Sequence, residues 1–264
     1  MPSISAKGTT FNYRFDGPAA GPVVMLSNSL ASTLAMWDEQ VPSLVSAGFR
    51  VLRYDSRGHG RSAVPAGPYT MDLLTTDAVA LLDILGLKRV HFCGLSLGGM
   101  VGQTLGAKYG SRLISLVLSS TSPFMSQKES WNERIALVRE RGMGAVVDAT
   151  IDRWYTKAGQ ARLPEEVAKT RQMILSTPVE GFCGSGAAIR DMDLRKFHRA
   201  IKTPTLVLVG EQDPGTPVSA AEEIQGGIAG SELQIFADAA HFCNVEQADR
   251  FNGALLDFLK KHAG

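Results

Sequence analysis

Apolar residues in this chain occur at two spacings, and their order predicts the fold. Short apolar runs at Val23–Leu26, Val51–Tyr54, Val90–Cys93, Leu113–Leu118 and Thr205–Val209 have the character of strands covered on both faces, and a further edge strand is expected over Leu233–Phe236. Between them the spacing is helical. Leu74, Ala78, Leu81, Leu82 and Leu85 mark one face of a helix over Met71–Leu85, with Gly86 as its stop. Phe251, Ala254, Leu255, Phe258 and Leu259 mark a last helix, for which Asn244 is the expected cap with Gln247 three residues on. The opening differs. There Phe11, Tyr13 and Phe15 alternate with Asn12 and Arg14, and the turn signals Lys7-Gly8 and Asp16-Gly17 bracket a hairpin. Strands alternating with helices predict an α/β chain, its central sheet mostly parallel and flanked by helices.

The pattern breaks between Ser122 and Ala200. Strand-like runs vanish, and helical patches carry Trp131, Trp154, Tyr155 and many arginines before the strand pattern resumes at Thr205. This predicts a helical cap over 122–200, inserted after the sixth strand, with 1–121 and 201–264 forming the two parts of the core. No internal repeat or low-complexity tract is present.

Composition narrows the function classes. The chain has 264 residues, 44% of them hydrophobic, too apolar for disorder. Its 27 Lys and Arg against 26 Asp and Glu give a net charge of +1, which provides no electrostatic footprint for nucleic acid or an anionic membrane. Cys93, Cys183 and Cys243 form no disulfide framework and no Cys-x-x-Cys spacing. No apolar run reaches the ~18 residues of a membrane span, and Met1–Gly17 lacks a signal-peptide core. A cytoplasmic protein that binds a small molecule, without metal or organic cofactor, is expected.

The strongest chemical signal is Gly94-Leu95-Ser96-Leu97-Gly98, directly after an apolar strand and before a helix-compatible run. A serine on so sharp a strand-to-helix turn needs small residues two positions either side, and the turn lifts its hydroxyl above the carboxyl edge of the sheet. Serine is a poor nucleophile without a base. His241, in the loop between the last strand and last helix, is the candidate base. His91 reads as a packed core residue, His198 belongs to the insertion, His262 to the terminal tail, and His59 is a competitor that precedes the serine, whereas this elbow expects the order serine, acid, histidine. Asp213, following Leu206–Gly210, is the candidate acid; Asp238 reads as a loop-forming residue. The oxyanion donors are then the backbone amides of Leu97 and Leu30.

These motifs identify the chain as similar to the α/β-hydrolase superfamily. More narrowly it resembles the 3-oxoadipate enol-lactonases over nearly its full length. Leu26-Ser27-Asn28-Ser29-Leu30 stands where most α/β-hydrolases carry a His-Gly oxyanion loop, and Met36-Trp37, Tyr54–Gly60, Pro65–Thr70, Asn244–Gln247, Trp131–Arg134 and Ala188–Arg195 support the narrower likeness. Ala31 departs from a frequent Gly, and Leu97 from a common Met. The resemblance implies a substrate that is an activated cyclic ester with a free acetate arm. Its pocket then needs flat apolar walls and a cation: Trp131, Trp154 and Tyr155 as walls, and Arg134 or Arg190 for the carboxylate. Trp-x-x-Arg spacing puts Arg134 on the helix face of Trp131. The alternatives are a general carboxylesterase, a lactonase for another small ring, and a slow-turnover small-molecule receptor. Ser96 argues against dehalogenases and epoxide hydrolases, which need an aspartate at the elbow.

Overall fold

The computed structural model describes residues 3–6 and 8–263, so the Lys7 half of the expected first turn lies outside the described residues. Eight strands form one sheet: β1 Ser3–Ala6, β2 Thr9–Asp16, β3 Val23–Ser27, β4 Arg50–Tyr54, β5 Val90–Leu95, β6 Leu113–Ser119, β7 Thr205–Gly210 and β8 Glu232–Phe236. Their spatial order is β1-β2-β4-β3-β5-β6-β7-β8. Only the opening hairpin runs antiparallel to its neighbours, β1 against β2 and β2 against β4; every other pairing is parallel. β3, β5 and β7 are buried along their whole length, as their unbroken apolar runs require. β8 lies at the edge and is only half covered.

The helices are α1 Val41–Ser46, α2 Met71–Ile84, α3 Leu97–Lys108, α4 Lys128–Arg141, α5 Val147–Trp154, α6 Lys157–Arg162, α7 Pro164–Leu175, α8 Val179–Asp191, α9 Val218–Gly227, α10 Cys243–Glu246 and α11 Ala248–Lys261. α2 begins where the Thr70 hydroxyl accepts the Leu73 amide at 3.1 Å, and Gly86 follows its end at a φ of 68°. α4 through α8 are inserted between β6 and β7. α11 buries Phe251, Leu255, Phe258 and Leu259 of its predicted stripe and half-buries Ala254: Phe251 packs 5.9 Å from Phe236 and 6.4 Å from Trp37 between ring centroids.

One expectation about that helix fails. Asn244 does not cap it, because Asn244 lies inside the short α10, and its amide donates to the Met36 carbonyl at 3.0 Å and to Gln40 Oε1 at 3.1 Å. Gln247 occupies the cap position without a side-chain cap bond. Asn244 is a buried cross-link between distant loops, a role set by tertiary contacts that local spacing does not reveal.

The topology places the site. From β3 the chain crosses to β4 on one side, while β5 lies on the other side of β3, so the loops after β3 and β5 part at their carboxyl ends. Open parallel sheets bind ligands in the crevice at such a switch point. The β3 loop carries Leu30 and the β5 loop carries Ser96.

Candidate active site

Ser96 sits at a φ of 58° and ψ of −114°, a strained conformation for a residue with a side chain. The elbow closes because its flanking glycines have no Cβ: one on Gly94 would strike the Gly98 carbonyl, and one on Gly98 would strike the Ser27 carbonyl. Hydrogen bonds hold the turn from three elements. The Ser96 amide donates to the Ser119 carbonyl at 2.9 Å, the Thr121 hydroxyl to the Ser96 carbonyl at 2.8 Å, and the Gly98 amide to the Asn28 carbonyl at 2.9 Å. Among the described residues the Ser96 hydroxyl has no protein partner, and it lines a cavity of about 640 Å³ together with His241, Leu30 and Trp154.

Asp213 and His241 are joined. His241 Nδ1 lies 2.7 Å from Asp213 Oδ2. The same oxygen accepts the Thr216 hydroxyl at 2.6 Å, while Oδ1 accepts the amides of Gly215 at 2.9 Å and Thr216 at 3.0 Å. Burial alone would raise the Asp213 carboxyl, but the His241 ring and the donors from His241 and Thr216 outweigh it and bring it below the ordinary carboxylate value. An ionised Asp213 fixes Nδ1 of His241 as the protonated nitrogen, which leaves Nε2 as the basic one. Thr216 was missed in the sequence; its signal was Asp213-Pro214-Gly215-Thr216, a turn in which an aspartate accepts from the residues that follow it.

The histidine loop is clamped from the insertion. Glu246 Oε2 accepts the Ala240 amide at 2.7 Å, and its Oε1 accepts the amide of Thr156 at 2.9 Å and its hydroxyl at 2.7 Å. On the other side of His241, the Phe242 amide donates to the Trp154 carbonyl at 2.9 Å. The Trp154 ring lies nearly parallel to that of His241, with centroids 5.9 Å apart. Both chain neighbours of the histidine are therefore tied to the α5–α6 turn.

The other histidines are occupied elsewhere. His91 is fully buried in β5, its Nδ1 2.7 Å from Ser115 Oγ, and His198 Nε2 lies 2.9 Å from Gln103 Oε1. His59 is fully buried with both ring nitrogens engaged, Nε2 by the Ala31 amide at 3.0 Å and Nδ1 by the Arg57 carbonyl at 3.0 Å. Asp238 sits in a turn at a φ of 58°, as a loop-forming residue does. Cys93 and Cys243 are buried free thiols.

The insertion contributes Trp131, Arg134, Arg153, Trp154 and Ile189 to the cavity wall. Arg134 lies 5.2 Å from the ring centroids of both Trp131 and Phe182, and among the described residues its only hydrogen bond is to Thr150 Oγ1 at 3.1 Å. Its Nε is buried with no acceptor among the described residues. Burial, and then the charge of Arg153, push its pKa down to about 9. Arg153 reaches the same Thr150 hydroxyl at 3.3 Å, and among the described residues neither guanidinium has a carboxylate partner. Arg153 was not singled out in the sequence, where nothing distinguished it from the surrounding arginines.

Two expectations for the insertion fail. Arg190 does not line the cavity; its guanidinium is spent on Asp191, at 2.6 and 2.9 Å, and on Asn132 Oδ1 at 2.9 Å. Adjacent acidic and amide groups satisfy it at the surface. Tyr155 does not wall the cavity either: it is turned into the core, with its hydroxyl 2.8 Å from Thr170 Oγ1 and its ring against Phe242.

Among the described residues no helix is long and apolar enough to cross a membrane. The family described as alpha/beta hydrolase fold matches residues 22–248. A 3-oxoadipate enol-lactonase of Acinetobacter baylyi is 34% identical, over 98% of this chain and 96% of its own length. A relative in Variovorax paradoxus, provisionally named a carbamate hydrolase, is 33% identical over 95% of this chain and 96% of its own. The crystal structure of the enol-lactonase from Burkholderia xenovorans LB400 superposes with a TM-score of 0.96 at 39% identity, covering 98% of this chain and 100% of that one. On this match and these likenesses the chain belongs to the alpha/beta hydrolase fold family and is a serine hydrolase.

Proposed function

We propose that the protein hydrolyses 3-oxoadipate enol-lactone to 3-oxoadipate, with Ser96 as nucleophile, His241 as base, Asp213 as its orienting acid, and the amides of Leu30 and Leu97 as oxyanion donors. The observation that carries the substrate is the pair Arg134 and Arg153: two guanidiniums on the wall of the serine cavity that, among the described residues, have no acid of their own. A half-buried cation without a counter-charge is costly, and a substrate carboxylate supplies the missing partner. Trp131 and Trp154 give flat apolar surface for the ring. The likeness to enol-lactonases supports the same reading.

The steps follow from the placements. His241 Nε2 takes the Ser96 proton as Oγ bonds to the lactone carbonyl carbon, and the two amides stabilise the oxyanion. Collapse breaks the ring C–O bond; the enolate oxygen takes the proton from His241, and the enol becomes a ketone. Water, deprotonated by His241, then attacks the acyl-enzyme and frees Ser96 and the second carboxylate.

Steady-state hydrolysis of the enol-lactone, beside neutral p-nitrophenyl acetate, tests this. Fast multiple turnover that favours the lactone is expected, with the preference falling in Arg134→Met. Ester hydrolysis without lactone turnover would overturn the substrate and leave a general esterase or another lactonase, whereas a single slow turnover would point to a receptor.

A further inference from the structure

The serine, its base and its acid account for most of the motif, but they leave the loop after β3 unexplained. Three consecutive amides there behave differently. The Ser29 amide donates to Met36 Sδ at 3.2 Å, and the Ala31 amide donates to His59 Nε2 at 3.0 Å. Among the described residues the Leu30 amide between them has no protein acceptor, and Leu30 borders the serine cavity.

His59 is placed to accept. Its Nδ1 lies against the Arg57 carbonyl at 3.0 Å, so Nδ1 carries the proton and Nε2 presents its lone pair to Ala31. Arg57 is held in turn by a bidentate pair with Asp77 on α2, at 2.6 and 2.7 Å. Ala31 sits at a φ of 59°, a conformation that alanine adopts only under constraint. Met36 Sδ also accepts the Ser32 hydroxyl at 3.1 Å, and Asp55 Oδ1 accepts the Leu34 amide at 2.8 Å. Of the three amides at Ser29, Leu30 and Ala31, these contacts engage the outer two and leave that of Leu30 facing the serine cavity without a protein acceptor among the described residues.

We infer that His59, with Met36 beside it, is a positioning residue of the oxyanion hole: by taking up the amides on either side of Leu30, the two side chains hold the loop so that the Leu30 amide is left free to join that of Leu97 at the developing oxyanion. The inference rests on the proposed role of Leu30. His59 touches no reacting atom; it acts through the Ala31 peptide. Because the hole binds the transition state and not the ground state, its distortion lowers kcat and spares KM.

The test uses His59→Gln, His59→Asn and Met36→Leu in the full chain, with p-nitrophenyl acetate as substrate and a boronic acid as transition-state mimic. Gln Oε1 reaches the position of Nε2, whereas Asn reaches only that of Nδ1. His59→Asn should lose about 10- to 100-fold in kcat, a fraction of what removal of an oxyanion donor costs, with KM within about twofold and boronate affinity falling in parallel. His59→Gln should recover to within about threefold of wild type. Met36→Leu, which keeps the volume and removes the acceptor, should lose several-fold in kcat alone. Equal activity in the Asn and Gln variants, or losses carried by KM, would overturn the inference. Should the His59 variants fail to fold, an unchanged kcat in Met36→Leu does so as well. Ser96→Ala separates the two claims: its inactivity beside a silent His59 series sinks only the positioning role, while its full activity sinks the reading of the site itself.

Discussion

The rim of the sheet and the underside of the helical insertion face each other across one cavity and treat their charges in opposite ways. At the rim, Asp213 accepts from His241, Thr216 and two backbone amides, so its charge is met inside the protein. On the insertion, Arg134 and Arg153 share one threonine hydroxyl and, among the described residues, meet no acid. A satisfied network is built to hold a geometry, and an unsatisfied cation is built to receive something. On the proposed reading, chemistry belongs to the rim and selection to the insertion.

The sharpest way to break that division is at the rim. Ser96→Ala and His241→Ala should each lower kcat by about 10⁴-fold or more on every substrate, lactone or neutral ester, and Asp213→Asn by about 10⁴-fold, in steady-state assays. A variant that keeps a tenth of the wild-type rate removes the rim from the chemistry.

Acid should act on the fold through its buried histidines. Burial lowers the pKa of His59, His91 and His198, that of His91 to about 4. A histidine kept neutral in the fold lets the unfolded chain bind protons first, so stability is full above about pH 6.5 and declines as pH falls toward the folded values. For His91 alone the decline is roughly 3 kcal/mol by pH 4. Asp213, held below the ordinary carboxylate value, pulls the same way at lower pH. Urea midpoints from pH 7.5 to 4.5 should fall steadily, and a flat profile would contradict the burial of these rings.

Selection is tested on the insertion. Arg134→Met and Arg153→Met should each lower kcat/KM for the carboxylated lactone by about 10- to 100-fold, the range of a charge-assisted hydrogen bond, and leave p-nitrophenyl acetate within about threefold. Equal losses on both substrates would erase the distinction between the two faces. The smallest effect belongs to Arg190→Ala: a surface ion pair outside the cavity should change kcat/KM by less than about twofold and stability by less than about 1 kcal/mol.

What the sequence revealed follows the same division. The strands, the elbow and the His241 loop were legible because each rests on local rules: apolar runs for buried strands, small residues around a strained serine, a histidine in the loop between the last strand and the last helix. The insertion was legible only as helical. Arg190 and Arg153 look alike in sequence, and what separates them is a neighbour: Asp191 and Asn132 occupy the first, while the second faces the cavity. Tyr155 next to Trp154 shows the same limit, since adjacent helix-end residues point to different sides and only packing says which. Glu246 and Asn244 act across more than 80 residues of chain, to Thr156 and to Met36 and Gln40, and no local pattern announces such partners.

Glu246 and the Trp154 carbonyl moor the α5–α6 turn to the loop that bears His241, so displacing this flank of the insertion would have to break those hydrogen bonds. The cavity lining is solvent-exposed at Ser126, Gln127 and Ser130 before and on α4, and at Pro217, Ser219 and Glu223 at the start of α9. Between those two rims the cavity opens to solvent, and on the proposed reading a substrate would reach Ser96 there, past a wall tied to the histidine loop.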